Sequence, residues 1–297
     1  MRLEPSSSAA IPALIGLLSD DTEIRRLDPP DVDPGYTPTP GKEAARTLAS
    51  IGKHAVEPLI SELTKEDSAG RAMAACALGE MREHSAVEAL IAAVRDRRLS
   101  VRAEASRALG LIGDRRAVGP LARAARDRDP GVRMNAVMAL GWIKDERVIR
   151  PLMGALGDED ETVAATASSQ LADLRVPGLE ESLIVAARDG VPALRARVAG
   201  ALRGRTSRPA VEALIALLQD ENREVRRTAA WSLFSSESPL AVEALIRALR
   251  DPDSEVASWS ENALLAISGY GAAAGRDPAA WEAWWRKNKS RLLRADS

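Results

Sequence analysis

The side chains most often recruited for catalysis are scarce in this chain. Histidine occurs twice, at His54 and His84, and cysteine once, at Cys76. A zinc site needs three or four nitrogen, sulfur or carboxylate ligands at set spacings, and these residues show no such spacing. Neither a Gly-x-Ser-x-Gly elbow nor a phosphate loop of the Walker type occurs. A single cysteine also rules out an intramolecular disulfide and implies no oxidising compartment. The sequence therefore predicts a protein that is not an enzyme and carries no metal or cofactor. What remains with chemical character is aromatic, with six Trp against two Tyr and one Phe. Indole rings desolvate well and order at little entropic cost, which suits them to recognition.

The elements that must position these rings follow a ruler. Segments beginning at Ala55, Ala86, Ala117, Val148, Leu179, Ala210 and Ala241 are copies of one pattern, offset by 31 residues without slip. In the copy at Ala86, residues Val87, Leu90, Ile91 and Val94 share one helical face. The stretch 96–100 interrupts the pattern. A second helix follows, with Val101, Ala105, Ala108, Leu109 and Ile112 facing inward and Gly113 ending it. Each copy is thus two antiparallel helices. The fold class is all-α, an α-solenoid (superhelix) of about eight two-helix repeats, in which each unit buries its apolar face against its neighbours. The repeats fall near 10–54, 55–85, 86–116, 117–147, 148–178, 179–209, 210–240 and 241–270.

Two polar columns read as architecture. Asp recurs at the end of the first helix (Asp20, Asp96, Asp127, Asp158, Asp189, Asp220, Asp251), with Lys65 the exception. Six residues further on come Arg71, Arg102, Arg133, Arg195 and Arg226, with Ala164 and Ala257 as gaps. A carboxylate opposes the dipole at a helix C-terminus. It should therefore accept from loop amides or from Arg, and an Asp–Arg ladder between successive units is expected. The ends differ. Residues 22–41 form a Pro-rich insertion in the first repeat, where Tyr36 is a candidate loop contact. Residues 271–297 form a Trp-rich cap helix and tail, with Asp277-Pro278 as its start and Trp281, Trp284 and Trp285 on one face.

The run Ala86–Arg116, AVEALIAAVRDRRLSVRAEASRALGLIGDRR, resembles a HEAT repeat of the short phycobilin-lyase type (PBS lyase HEAT-like), and the resemblance covers about 10–270. It implies that the second helices line a concave face. On those helices lies a polar stripe, and the three internal Trp residues all fall within it. Candidate partner-binding residues along it are Met73, Arg107, Leu111, Met138, Trp142, Arg197, Trp231 and Trp259. Arg107 and Arg197 could meet acidic groups of a partner.

The expected function is a protein–protein interaction scaffold or adaptor that holds a protein or peptide on the concave face. The resemblance also admits two alternatives, a bilin-binding lyase-like protein and a DNA-binding protein of the alkylpurine glycosylase kind. Net charge is −2, and the stripe lacks a dense cationic lining, which disfavours nucleic acid. Deoxyhypusine hydroxylases need several His-Glu pairs, and neither histidine here begins one. No apolar run approaches the roughly 20 residues that span a membrane. A cytoplasmic location is expected. Ala9–Leu18 mimics a secretion leader but fits the repeat template, so a trimmed leader stays as the alternative.

Overall fold

The computed structural model describes residues 9–20, 39–269 and 275–295. Tyr36, most of the Pro-rich insertion and the turn before the terminal helix lie outside the described residues. Every regular element among the described residues is helical. Two compact units divide the chain, Met1–Pro151 and Leu152–Ser297.

In the first unit the helices are α1 (Ile11–Leu17), α2 (Pro40–Ile51), α3 (Val56–Thr64), α4 (Arg71–Glu80), α5 (Val87–Ala93), α6 (Leu99–Ile112), α7 (Val118–Ala124) and α8 (Pro130–Trp142). Helix α9 (Ile149–Ala155) holds the point of division. The second unit continues with α10 (Glu161–Asp173), α11 (Leu179–Asp189), α12 (Pro192–Ala201), α13 (Arg208–Leu217), α14 (Arg223–Ser236), α15 (Val242–Ala248), α16 (Ser254–Ser268) and α17 (Pro278–Ala295).

Local chemistry sets these boundaries. Asp129, Asp160, Asn222 and Asp253 accept hydrogen bonds from the first free N–H groups of α8, α10, α14 and α16. Pro130 and Pro192 occupy first-turn positions, where their missing N–H costs nothing. Gly113 ends α6 with φ of 74°, the left-handed conformation that a side chain would strain. The core columns close as the periodicity predicts: Val101, Ala105, Ala108, Leu109 and Ile112 are buried, with Ile91 only partly so.

Within each unit, successive second helices pack directly on one another, while successive first helices touch far less. The second helices therefore form the tighter layer. In the first unit that spacing depends on glycine. A Cβ on Gly79 would stand 2.6 Å from Ala108 Cα, and one on Gly110 2.6 Å from Ala139 Cα.

The Asp–Arg ladder is present. Arg71 holds Asp96 through Nε and Nη2 at 2.9 and 3.0 Å, and Arg102 holds Asp127 at 2.8 and 3.0 Å. In the second unit Arg195 holds Asp220 and Arg226 holds Asp251 by the same bidentate fork. Nη1 of Arg71, Arg102 and Arg226 meanwhile donates to the carbonyl six residues earlier, tying each loop to the helix that follows. Each Asp also accepts from the backbone N–H two residues on. Arg195 thereby holds the Asp220 carboxyl below the usual carboxylate range against the opposing effect of burial. The sequence exception obeys the same logic. Ladder partners are 25 residues apart, and the position 25 before Lys65 is Pro40, so both halves of that rung are missing together.

The terminal helix α17 packs on α15. Trp281 is fully buried, and its Nε1 donates to Gly275 O at 2.7 Å. Trp285 is buried too, and its Nε1 and Lys289 Nζ both donate to Glu243 at 3.1 and 2.7 Å.

Candidate functional site

The stripe residues split between the two units. In the first unit Met73, Arg107, Leu111 and Met138 are half-buried on α4, α6 and α8, and Trp142 is 38% exposed at the end of α8. Arg107 is already engaged. Its Nε donates to Glu104 at 3.0 Å, its Nη2 lies 3.0 Å from Cys76 Sγ, and Glu80 stands 3.9 Å away. Burial and the neighbouring Glu104 carboxylate push the Cys76 thiol up to about 12, so it is a protonated thiol at neutral pH.

In the second unit Arg197 is likewise engaged. It donates to Glu161 and to Leu156 O. Neither arginine singled out from the sequence has a free guanidinium. Trp231 and Trp259 are half-buried. Trp259 packs on Phe234 with centroids 5.8 Å apart, and the Arg203 guanidinium lies over the Trp231 ring, 4.9 Å from its centroid.

One rule covers all three internal rings. The position that is Gly79, Gly110 and Gly141 in the first copies becomes Arg203 and Phe234 in later ones, at the same 31-residue spacing. Trp142 packs on Gly110, where a Cβ would stand 2.8 Å from its Cε3. Trp231 packs on Arg203, and Trp259 on Phe234. Each indole thus seats on this one column of the preceding second helix. The rings therefore fill space between helices and remain partly exposed.

The second unit carries a cleft of about 580 Å³ across α10, α12 and α14, with Arg203 in its lining. Helix α12 makes its floor. It has 10 residues against 13 in α10 and 14 in α14, and Gly200 adds no side chain. A Cβ at Gly200 would stand 2.8 Å from Ser168 Oγ, which donates to Arg197 O, so a side chain there would have to displace that hydroxyl. The walls carry Ser169 and Thr228, the acidic rim Glu161 and Glu224, and the far end Arg203 on Trp231. Glu161 pairs with Arg197, and Glu224 with Arg227. Arg203 has no carboxylate or hydrogen-bond acceptor among the described residues. The cleft can thus bind an extended polar chain and offers one uncommitted cation. Sequence reasoning missed Arg203 and Phe234. The signal was present, since they depart, as Leu265 does after them, from a column that begins as glycine.

Among the described residues no helix is long and apolar enough to cross a membrane, and no group of three or more His, Cys, Asp or Glu could hold a metal ion.

Residues 87–172 and 180–265 match the family described as HEAT repeats, and residues 70–96 match the PBS lyase HEAT-like repeat. No curated protein matches the sequence. Similar solved structures include yeast importin-beta (Kap95p), 16% identical with a TM-score of 0.54, covering 99% of this chain and 43% of that one. The Kap95:Nup1 complex is 15% identical with a TM-score of 0.58, covering 99% and 43%. The CpcE and CpcF complex of phycocyanin lyase from Nostoc sp. PCC7120 is 24% identical with a TM-score of 0.42, covering 84% and 93%. The chain spans less than half the length of Kap95p. At these identities the likeness concerns the fold alone.

Proposed function

Starting from a chain that belongs to the HEAT-repeat family, we propose a non-enzymatic scaffold or adaptor that binds a protein or peptide on its second-helix face. The observation that carries this reading is the cleft of the second unit, with small residues on its floor and Trp231 at one end. Three neighbouring second helices at about 9 Å spacing span roughly 18 Å, the length of five or six extended residues. Aromatic anchors beside polar groups are what peptide-binding surfaces use most. Trp259 on Phe234 extends the aromatic surface in the same unit. In the first unit Trp142, with Met138 and Leu111 on the same stripe, offers a second contact surface of the same kind.

Affinity capture from a lysate of the source cell tests the reading, using wild type and a Trp231→Ala/Trp259→Ala variant shown to be folded by circular dichroism. A partner held by wild type and lost by the variant is expected. Identical partners on both would refute the assignment of the face. Nucleic acid as the captured species would instead show binding that weakens steeply with salt.

A further inference from the structure

Building on the peptide-binding reading of the same cleft, we infer that Arg203, stacked on Trp231, receives the carboxylate of an acidic residue in an extended peptide. The Arg203 guanidinium lies over the indole of Trp231, 4.9 Å from ring centroid to Cζ. No acceptor among the described residues takes its N–H fork, and that fork matches a carboxylate bidentately. Every other cleft charge is spoken for: Glu161 by Arg197 and Glu224 by Arg227. Arg203 alone is half-buried and lacks an acidic partner among the described residues. The cleft therefore holds one cation without an acidic partner, at its far end, with two paired rim carboxylates in the same lining. That suits an isolated monoanion. A polyanion such as nucleic acid, or a doubly charged phosphate, would meet Glu161 and Glu224 and find no second free cation.

The placement of Arg203 supports a recognition role over a packing one. The glycine of the first copies lets second helices close on each other. Arg203, just past the end of α12, instead brings a cation to the lining of the cleft. Burying a lone cation partly, without a partner, is unfavourable until a ligand supplies the counter-charge.

Panning a phage-displayed library of random peptides on the full chain tests the inference. The expected result is enrichment of peptides that carry Asp or Glu. For synthetic copies, changing that acid to its amide, or Arg203→Gln in the protein, should each weaken binding about tenfold or more. The two changes together should cost no more than either alone, because they remove the same interaction. Arg203→Lys, which keeps charge without the fork, should fall between. Arg250→Gln, on an exposed loop remote from the cleft, serves as the charge control, and melting of each variant confirms that it is folded. Enrichment of acid-free peptides overturns the inference. So does an acid-to-amide cost that is unchanged in Arg203→Gln, or a phosphoserine replacement that binds tenfold tighter. Peptides that depend on Trp231 but not on Arg203 would sink the carboxylate assignment and leave the peptide-binding face standing. Peptides indifferent to both would remove the two together.

Discussion

Two glycine-to-alanine substitutions should move stability in opposite directions, and the structure fixes the sign of each. Gly110 lies inside α6, where alanine brings a propensity gain of about 1 kcal/mol. Its new Cβ, however, would stand 2.6 Å from both Cα and Cβ of Ala139 and 2.8 Å from the Trp142 ring. Carbon atoms rest at about 3.5–4.0 Å, so α6 and α8 must part by roughly 1 Å. Two of the three obstacles belong to Ala139, one of them backbone, and cannot swing aside. Overpacking of this severity costs about 3 kcal/mol, leaving a net loss of about 2 kcal/mol. At about 2–4 °C per kcal/mol for a chain of this size, the melting point should fall by roughly 4–8 °C. Gly119 lies in α7 with nothing within 4 Å of the same added atom. Gly119→Ala should therefore raise stability by about 0.5–1 kcal/mol. Far-UV circular dichroism melts of the two variants beside wild type decide it. Gly110→Ala should also disturb the seat of Trp142 and change its fluorescence, which Gly119→Ala should not. A Gly110→Ala protein that melts at or above wild type would refute close helix approach as the reason for that glycine.

Arg102→Met should cost about 3 kcal/mol, because it strands the largely buried Asp127 carboxylate. The double variant Arg102→Met/Asp127→Asn should recover much of the loss in urea melts, and strict additivity would contradict a shared rung. Burial would raise the carboxyls of Asp96 and Asp127, but the bonds and charges of Arg71 and Arg102, together with the backbone N–H groups of Arg98 and Asp129, outweigh it and hold them low; Asp220 is held low chiefly by Arg195. A depressed folded-state value gives stability that is full above the unfolded value of about 4 and is lost as pH falls through the lower folded values. Melting points should be level at neutral pH and drop below about pH 4, and a profile that stays level there would contradict the ladder's contribution.

The helical repeat was legible in the sequence because every copy restates the same local instructions. Asp129-Pro130 starts a helix, Gly113 ends one, and the apolar spacing fills the core. The ladder was legible for the same reason, since each Asp and Arg recurs in register. The site was harder to read. Trp231 could be placed on the second-helix stripe, but its contact with Arg203 depends on how far adjacent helices are apart, which spacing along the chain does not encode. Arg197 looked available because Glu161, its partner, lies 36 residues away and outside the repeat's own register. Glu104, by contrast, sits one helical turn before Arg107 and could have been recognised as its partner. The best signal left unused was a column that changes from glycine to Arg203 and Phe234, because a change of size at a helix contact alters the surface above it.

The ladder also bears on how such a chain can change length. Each rung joins an arginine of one repeat to an aspartate of the next, and the rungs of Arg71, Arg102, Arg195 and Arg226 share one two-atom fork geometry. The repeats are therefore interchangeable couplings. Duplicating a repeat that carries both ladder residues, such as 86–116, brings an existing arginine to an existing aspartate, with no new residue needed to seal the joint. Adding a few residues inside a repeat would instead pull an aspartate off its fork and leave it unpaired. Growth by recombination is thus confined to steps of one repeat. The cleft built around Arg203 can in this way be carried, as a finished module, to different distances from either end.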